Sequence, residues 1–95
     1  MVIAEFSITP IVGGEMRPYV DAAIEVVKRS GLKYEVEAMG TTIEGDLQTI
    51  LDVIRKAHEA VMQAGADRVL TEVRIDDRRE GVTMKEEVEG YRSMV

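Results

Sequence analysis

The clearest structural signal in the sequence is the stretch DLQTILDVIRKAHEAVMQAG, which spans residues 46–65. Its apolar side chains recur every three or four positions, the spacing of one face of an α-helix. These residues are Leu47, Ile50, Leu51, Ile54, Ala57, Val61 and Ala64. Asp46 is suited to cap the N-terminus of the helix, and Gly65 is suited to end it. The stretch therefore predicts an amphipathic helix whose apolar face packs on a core.

Strand patterns surround this helix. Residues 2–8 alternate between the two faces of a strand, and Pro10 is expected to close that strand because proline has no N–H to donate. A first helix is predicted from about Met16 to Ser30, with Gly31 as its cap. Further strands are predicted at 34–38, 41–44 and 68–76. The chain therefore begins strand–helix–strand and repeats that order in its second half.

This order predicts an α+β fold of the ferredoxin-like type, formed by a single domain of residues 1–95. Right-handed crossovers give an antiparallel sheet of strand order 4-1-3-2, with both long helices on one face. Thr83 and Glu86 have the spacing of a capping box and predict a last, short helix. That C-terminal helix would carry Met84, Val88, Tyr91 and Val95 on one face.

Strand alternation divides the sheet residues between a helix-covered face and an open face. The covered set is Val2, Ala4, Phe6, Ile8, Tyr34, Val36, Val69, Val73 and Ile75. The open set is Ile3, Glu5, Ser7, Glu35, Glu37, Met39, Leu70, Glu72 and Arg74, with Thr42 and Glu44 from the third strand. Because apolar side chains on a wet sheet are unfavourable, we expect another subunit or the last helix to cover part of this face.

Composition excludes several classes of protein. The chain has 12 Lys or Arg against 18 Asp or Glu, a net charge of −6, and no Cys. Disulfides, thiolate metal sites and cysteine nucleophiles are thereby excluded, and a nucleic-acid partner would be repelled. No apolar run approaches the roughly 20 residues that span a bilayer, and the start does not have the pattern of a signal peptide. A cytoplasmic protein without a membrane partner is expected.

Catalytic motifs are scarce. His58 lies at the edge of the apolar stripe of the second helix, where a hydrogen-bonded structural histidine is the expected role and a base or ligand the alternative. It could join Glu59 in a metal site, but no metal-ligand spacing accompanies the pair. Neither a nucleophile motif nor a phosphate-binding loop occurs in the sequence. The sequence predicts a protein that is not an enzyme.

Carboxylates on the open face have two interpretations. Most of them are expected to be solvated or paired with Arg74 and Lys33. The alternative is that some line a pocket for a cationic or amine-bearing ligand, with Glu44 in the turn before the second helix and Glu37 on the neighbouring strand converging on it. Glu44 has a structural alternative as well, which is to cap the N-terminus of the second helix.

Four segments together carry a family resemblance. They are IAEFSITP at 3–10, MGTTIEG at 39–45, DRVLT at 67–71 and IDDRR at 75–79. In this order they resemble a family of small thiamine-binding proteins, over nearly the whole chain. The resemblance implies a ferredoxin-like fold, homodimers or homotetramers assembled through the sheets, and binding of thiamine or its aminopyrimidine part without catalysis.

The chemistry of individual residues gives a candidate site for such a ligand. A carboxylate can accept from the exocyclic amine of thiamine, hydroxyls can bond its ring nitrogens, and Tyr34 or Met39 can stack on a ring. The predicted ligand-binding residues are Ser7, Tyr34, Glu37, Met39, Thr41, Thr42 and Glu44. Unphosphorylated thiamine is favoured in these acidic surroundings, and no metal or other cofactor is expected. The competing hypothesis is a structural or regulatory oligomer whose acidic surface binds a protein or a divalent cation.

Overall fold

A computed structural model of the chain describes residues 1–91. The strands are β1 (Val2–Ile11), β2 (Lys33–Glu37), β3 (Gly40–Gly45) and β4 (Arg68–Asp76). The helices are α1 (Arg17–Arg29), α2 (Leu47–Gln63) and α3 (Met84–Val88). None of the helices in this part of the chain is long and apolar enough to cross a membrane.

The four strands form one antiparallel sheet in the order β2-β3-β1-β4. This is the predicted order read from the opposite edge, so the predicted ferredoxin-like fold is confirmed. Both long helices pack on one face, over a core in which Val27, Ile43 and Ile50 are fully buried. The two halves of the chain thus contribute one helix each to a single layer above the sheet.

Strand register confirms the predicted division between the faces. The helices do not cover all of their face, however, because Val36, Val73 and Ile75 of the predicted covered set are exposed. Glu5 of β1 lies opposite Thr42 of β3 on one side and Arg74 of β4 on the other, and Thr42 lies opposite Glu35 of β2. Directly opposite residues of antiparallel strands share a face, so these four form one row across the open face. Glu44 lies opposite Ile3 and belongs to the same face.

The prediction that Pro10 closes the first strand is wrong. β1 continues to Ile11, and Pro10 is buried opposite Val69 of β4. The pairing of β1 with β3 ends at Phe6, so beyond that residue β1 pairs with β4 alone. A strand with one free side accommodates a proline, because its missing N–H can lie on the unpaired side.

Helix α2 begins as predicted, and its buried face is rotated from the predicted one. Thr49 donates its backbone N–H to Asp46 Oδ2 at 3.1 Å, which confirms Asp46 as the N-cap. Val53 is buried, whereas Leu47 and Leu51 are exposed. The buried stripe therefore extends to Val53 on one side and leaves out Leu47 and Leu51 on the other, because α2 packs against α1 as well as the sheet.

Helix α3 has the predicted N-cap at Thr83 and is shorter than predicted. Glu86 donates its backbone N–H to Thr83 Oγ1 at 3.2 Å, and the Thr83 hydroxyl donates to Glu86 Oε1 at 2.9 Å. The helix ends at Val88, and Tyr91 is exposed, so Tyr91 does not join Met84 on a buried face. Val95, the last member of the predicted apolar face, lies outside the described residues.

Candidate functional site

A groove of about 460 Å³ lies on the open face of the sheet. Its floor includes Ile3 and Thr42, and its far wall is α3, which contributes Met84 and Val88. The acidic side chains that line it are Glu5, Glu35, Glu37, Asp76 and Glu87. The basic side chains that line it are Lys33, Arg74 and Lys85. Carboxylates therefore outnumber cations around a partly apolar floor.

Sheet register places the acidic groups in order around Thr42. Glu5 and Glu35 flank Thr42 in the same cross-strand row, and Glu37 lies two residue pairs further toward the β2–β3 turn, on the same face. Arg74 Nη1 lies 4.0 Å from Glu5 Oε1, and its side chain is 89% exposed, so solvent screens this pair. A small cation entering the groove would meet carboxylates on both sides of the Thr42 hydroxyl.

Helix α3 is held over one end of the open face by two sets of contacts. Met84 donates its backbone N–H to Glu44 Oε1 at 2.9 Å. Arg78 Nη2 lies 2.9 Å from Asp76 Oδ2 and 2.8 Å from Glu87 Oε1. The hydrogen bond to Asp76, followed by the charges of Asp76 and Glu87, raises the pKa of Arg78 above its ordinary value. The segment after β4 is thus tied both to β3 and to the end of β4.

Two of the predicted ligand-binding residues, Glu37 and Thr42, line the groove. Glu44 lies on the same face but is buried beneath α3 and is not among the lining residues. The hypothesis that Glu44 caps α2 is wrong, because Asp46 caps that helix and the Glu44 carboxylate accepts instead from the first residue of α3. Glu37 and Glu44 pair with Gly40 and Lys33, at opposite ends of the β2–β3 hairpin, so they do not converge.

The other predicted residues lie elsewhere. Ser7, Met39 and Thr41 line a second, smaller cavity of about 220 Å³ between α1 and the β2–β3 turn, which Glu37 also borders. Tyr34 packs against the core from the helix-covered face. Thr41 and Thr42 are neighbours in sequence on opposite faces of β3, and this alternation separates the predicted set into different environments.

Sequence reasoning placed Glu5, Glu35 and Arg74 on the open face without including them in the site. The expectation that the last helix covers part of this face is confirmed by α3. What sequence reasoning missed was that Met84, Lys85, Glu87 and Val88 form a wall of the groove. The capping box at Thr83 was a signal for this helix. No local pattern indicates where a five-residue helix docks, because such a helix depends on tertiary contacts.

The single histidine has the predicted structural role. His58 Nδ1 lies 2.6 Å from Thr71 Oγ1, which joins α2 to β4 on the helix-covered face. Glu59 pairs with Arg55 one helical turn away, at 3.0 Å. Within residues 1–91, no group of three or more acidic or histidine side chains is arranged to hold a metal ion.

Comparison with known proteins gives matches over nearly the whole chain. The family described as thiamine-binding protein matches residues 4–92, nearly the whole chain. This chain belongs to that family. The resemblance seen in the four sequence segments is thereby confirmed. A UPF0045 protein of Methanothermobacter thermautotrophicus is 42% identical over 83 residues, which are 84% of each chain.

Solved structures of relatives share the whole fold. A domain of unknown function, DUF77, from Bacillus cereus is 44% identical, with a TM-score of 0.93 over 98% of this chain and 91% of that one. A Thermotoga maritima protein, assigned provisionally to thiamine biosynthesis or salvage, is 32% identical, with a TM-score of 0.87 over 96% of this chain and 98% of that one. The family and its fold are thus established together.

Proposed function

We propose that the protein binds thiamine, or its aminopyrimidine part, in the groove on the open face of the sheet. The observation that carries the proposal is the row in which Glu5 and Glu35 flank Thr42 on the groove floor. Membership of the thiamine-binding family supports it. The volume of about 460 Å³ suits a small molecule, since such sites measure roughly 300–1,000 Å³.

Each part of thiamine has a counterpart in the groove. The thiazolium ring carries a permanent positive charge, which the carboxylates of Glu5, Glu35 and Glu37 would stabilise. The exocyclic amine of the pyrimidine can donate to one of these carboxylates, and the Thr42 hydroxyl can bond a ring nitrogen. Ile3 and Met84 offer apolar contact to the ring faces.

Binding without catalysis is part of the proposal. The ionisable side chains of the groove are carboxylates, lysines and an arginine, and His58 is engaged with Thr71 on the opposite face of the sheet. General base catalysis on a small amine requires a base positioned against a nucleophile. The groove offers a cation-binding surface, and we expect turnover of thiamine to be undetectable.

Isothermal titration of the protein with thiamine, thiamine diphosphate and the free aminopyrimidine alcohol tests the proposal. We expect saturable binding of thiamine and weaker binding of the diphosphate. The double variant Glu5→Gln/Glu35→Gln should weaken thiamine binding by up to about 30-fold, since each screened charge contributes up to about 1 kcal/mol. Added salt should weaken wild-type binding in the same direction.

Glu15→Gln/Asp21→Asn is the matched control, because Glu15 and Asp21 are exposed carboxylates outside the groove lining. It removes two units of charge, as the groove variant does, and should leave the thiamine affinity unchanged. Equal loss of affinity in this control would assign the effect to net charge rather than to the groove. Failure of all three ligands to bind would overturn the proposal and favour the alternative of a regulatory oligomer with a protein partner.

A further inference from the structure

The segment that follows β4 turns back over the open face and forms a wall of the groove. We call residues 82–89, which include α3, the C-terminal strap. Val82 and Met84 of the strap are buried, and Met84, Lys85, Glu87 and Val88 line the groove. A helix of five residues has little stability in isolation, so its position depends on its contacts with the rest of the chain.

Glu44 supplies the central contact of the strap. Its side chain is buried, with the residue only 9% exposed, and Oε1 accepts the backbone N–H of Met84 at 2.9 Å. A carboxylate out of water is unfavourable unless it is hydrogen-bonded, so breaking this bond leaves both groups poorly satisfied. The bond joins residues 40 positions apart, β3 to the first residue of α3.

Further contacts hold the strap at its two ends. Val82 donates its backbone N–H to the carbonyl oxygen of Met1 at 3.2 Å, and Arg78 bridges Asp76 and Glu87. The Arg78 ion pairs are partly exposed, so solvent screens them and they stabilise the strap less than their short distances suggest. The Glu44–Met84 hydrogen bond is buried, whereas the ion pairs of Arg78 are partly exposed.

We propose that Glu44 is a positioning residue, which governs ligand binding in the groove by holding the strap rather than by contacting the ligand. Docking of the strap completes the wall, and a ligand in the groove contacts that wall, so each stabilises the other. This inference rests on the proposed function for its ligand. Glu44 then acts through the side-chain oxygen that accepts the Met84 N–H, and its negative charge is not required.

Two substitutions separate the acceptor from the charge. Glu44→Gln retains an acceptor oxygen for the Met84 N–H and removes the charge, whereas Glu44→Leu removes both at similar volume. The thiamine affinity of each variant is measured by isothermal titration. Hydrogen exchange of the Met84 and Glu87 amides, followed by NMR, reports strap docking, because Met84 N–H bonds Glu44 and Glu87 N–H bonds the Thr83 carbonyl oxygen.

We expect Glu44→Leu to weaken thiamine binding about tenfold or more and to open both amides to exchange, because the buried Met84 N–H then has no acceptor. Glu44→Gln should stay within about threefold of the wild-type affinity and keep both amides protected. Thiamine should increase the protection of the strap amides in the wild type. If Glu44→Gln loses as much affinity as Glu44→Leu, the carboxylate contacts the ligand directly and the inference is wrong.

Thr83→Ala gives an independent perturbation of the strap without changing Glu44 or a lining residue. Removal of the α3 cap should lower amide protection and thiamine affinity together, while the amides of the sheet and the long helices stay protected from exchange. If the strap amides lost their protection while the thiamine affinity stayed intact, strap docking and ligand binding would not be coupled and the inference would be wrong. If the wild type fails to bind thiamine, the proposed function fails, and amide exchange in Glu44→Gln against Glu44→Leu still decides whether the Glu44 acceptor holds the strap.

Discussion

Asp46 determines where α2 begins through a contact that lies entirely within one helical turn. Its carboxylate accepts the backbone N–H of Thr49 at 3.1 Å and also bonds the Thr49 hydroxyl. The bonds from the Thr49 side chain and backbone lower the pKa of Asp46 below its ordinary value of 3.8. The ionised form is therefore more favourable in the folded chain than in the unfolded one.

This shift predicts a pH dependence of stability. The contribution of Asp46 is fully present above its unfolded pKa and is lost as the pH falls through its lower folded pKa, because both states are then protonated. We expect Asp46→Asn, which retains a cap without a charge, to be less stable than the wild type at about pH 7 and equal to it at about pH 2. Urea unfolding at the two pH values measures this, and a constant difference would contradict it.

Two glycines with different surroundings give a second prediction at the residue scale. A Cβ on Gly40 would lie 2.9 Å from the carbonyl oxygen of Phe6, whereas a Cβ on Gly13 would meet nothing within 4 Å. We expect Gly40→Ala to lower the free energy of unfolding by about 1–3 kcal/mol, because β3 must shift away from β1. Gly13→Ala should stay within about 0.5 kcal/mol of the wild type in urea titrations. Equal effects would exclude the close approach as the cause.

At the scale of the element, β3 shows how one strand serves both the core and the site. Ile43 is fully buried beneath the helices, and Thr42, its neighbour, lines the groove on the other face. Side chains alternate between the two faces of any strand, so this alternation could be predicted from the sequence. The depth of burial on each face could not be predicted, because it depends on how the helices and the C-terminal strap cover that face.

The two faces of β3 should respond separately to substitution. Ile43→Val removes one buried methylene and should cost about 0.5–1.5 kcal/mol of stability without altering the thiamine affinity. Thr42→Val keeps the shape and removes the hydroxyl, so it should weaken thiamine binding by roughly three- to tenfold with little change in stability. Urea unfolding and isothermal titration of both variants check this. Loss of affinity in Ile43→Val alone would place the ligand on the other face.

At the scale of the whole molecule, the sheet leaves apolar side chains in water. Leu70 on the open face of the edge strand β4 is 46% exposed, and Val73 and Ile75 of the same strand are exposed as well. An edge strand of nine residues offers unpaired backbone groups to another chain. Assembly through a sheet face or edge therefore stays a prediction for this protein.

Leu70→Asp tests that prediction by analytical ultracentrifugation. We expect the substitution to shift the protein toward the monomer, since a buried charge at an interface is costly. Met62→Asp is the matched control, because Met62 is similarly exposed, at 44%, but lies on α2 away from the sheet. Equal sedimentation of Leu70→Asp and the wild type would remove Leu70 from any interface.

Sequence patterns were enough to predict the order of the elements, the Asp46 and Thr83 caps and the faces of the strands. Each of these depends on residues within a few positions of one another, where periodicity and capping act. Only the folded chain shows that Pro10 stays within β1, that Val53 joins the core, and which residues of α3 form the wall of the groove. These depend on contacts between distant parts of the chain, such as the Glu44–Met84 bond, which no local pattern encodes because its partners meet only after the sheet has formed.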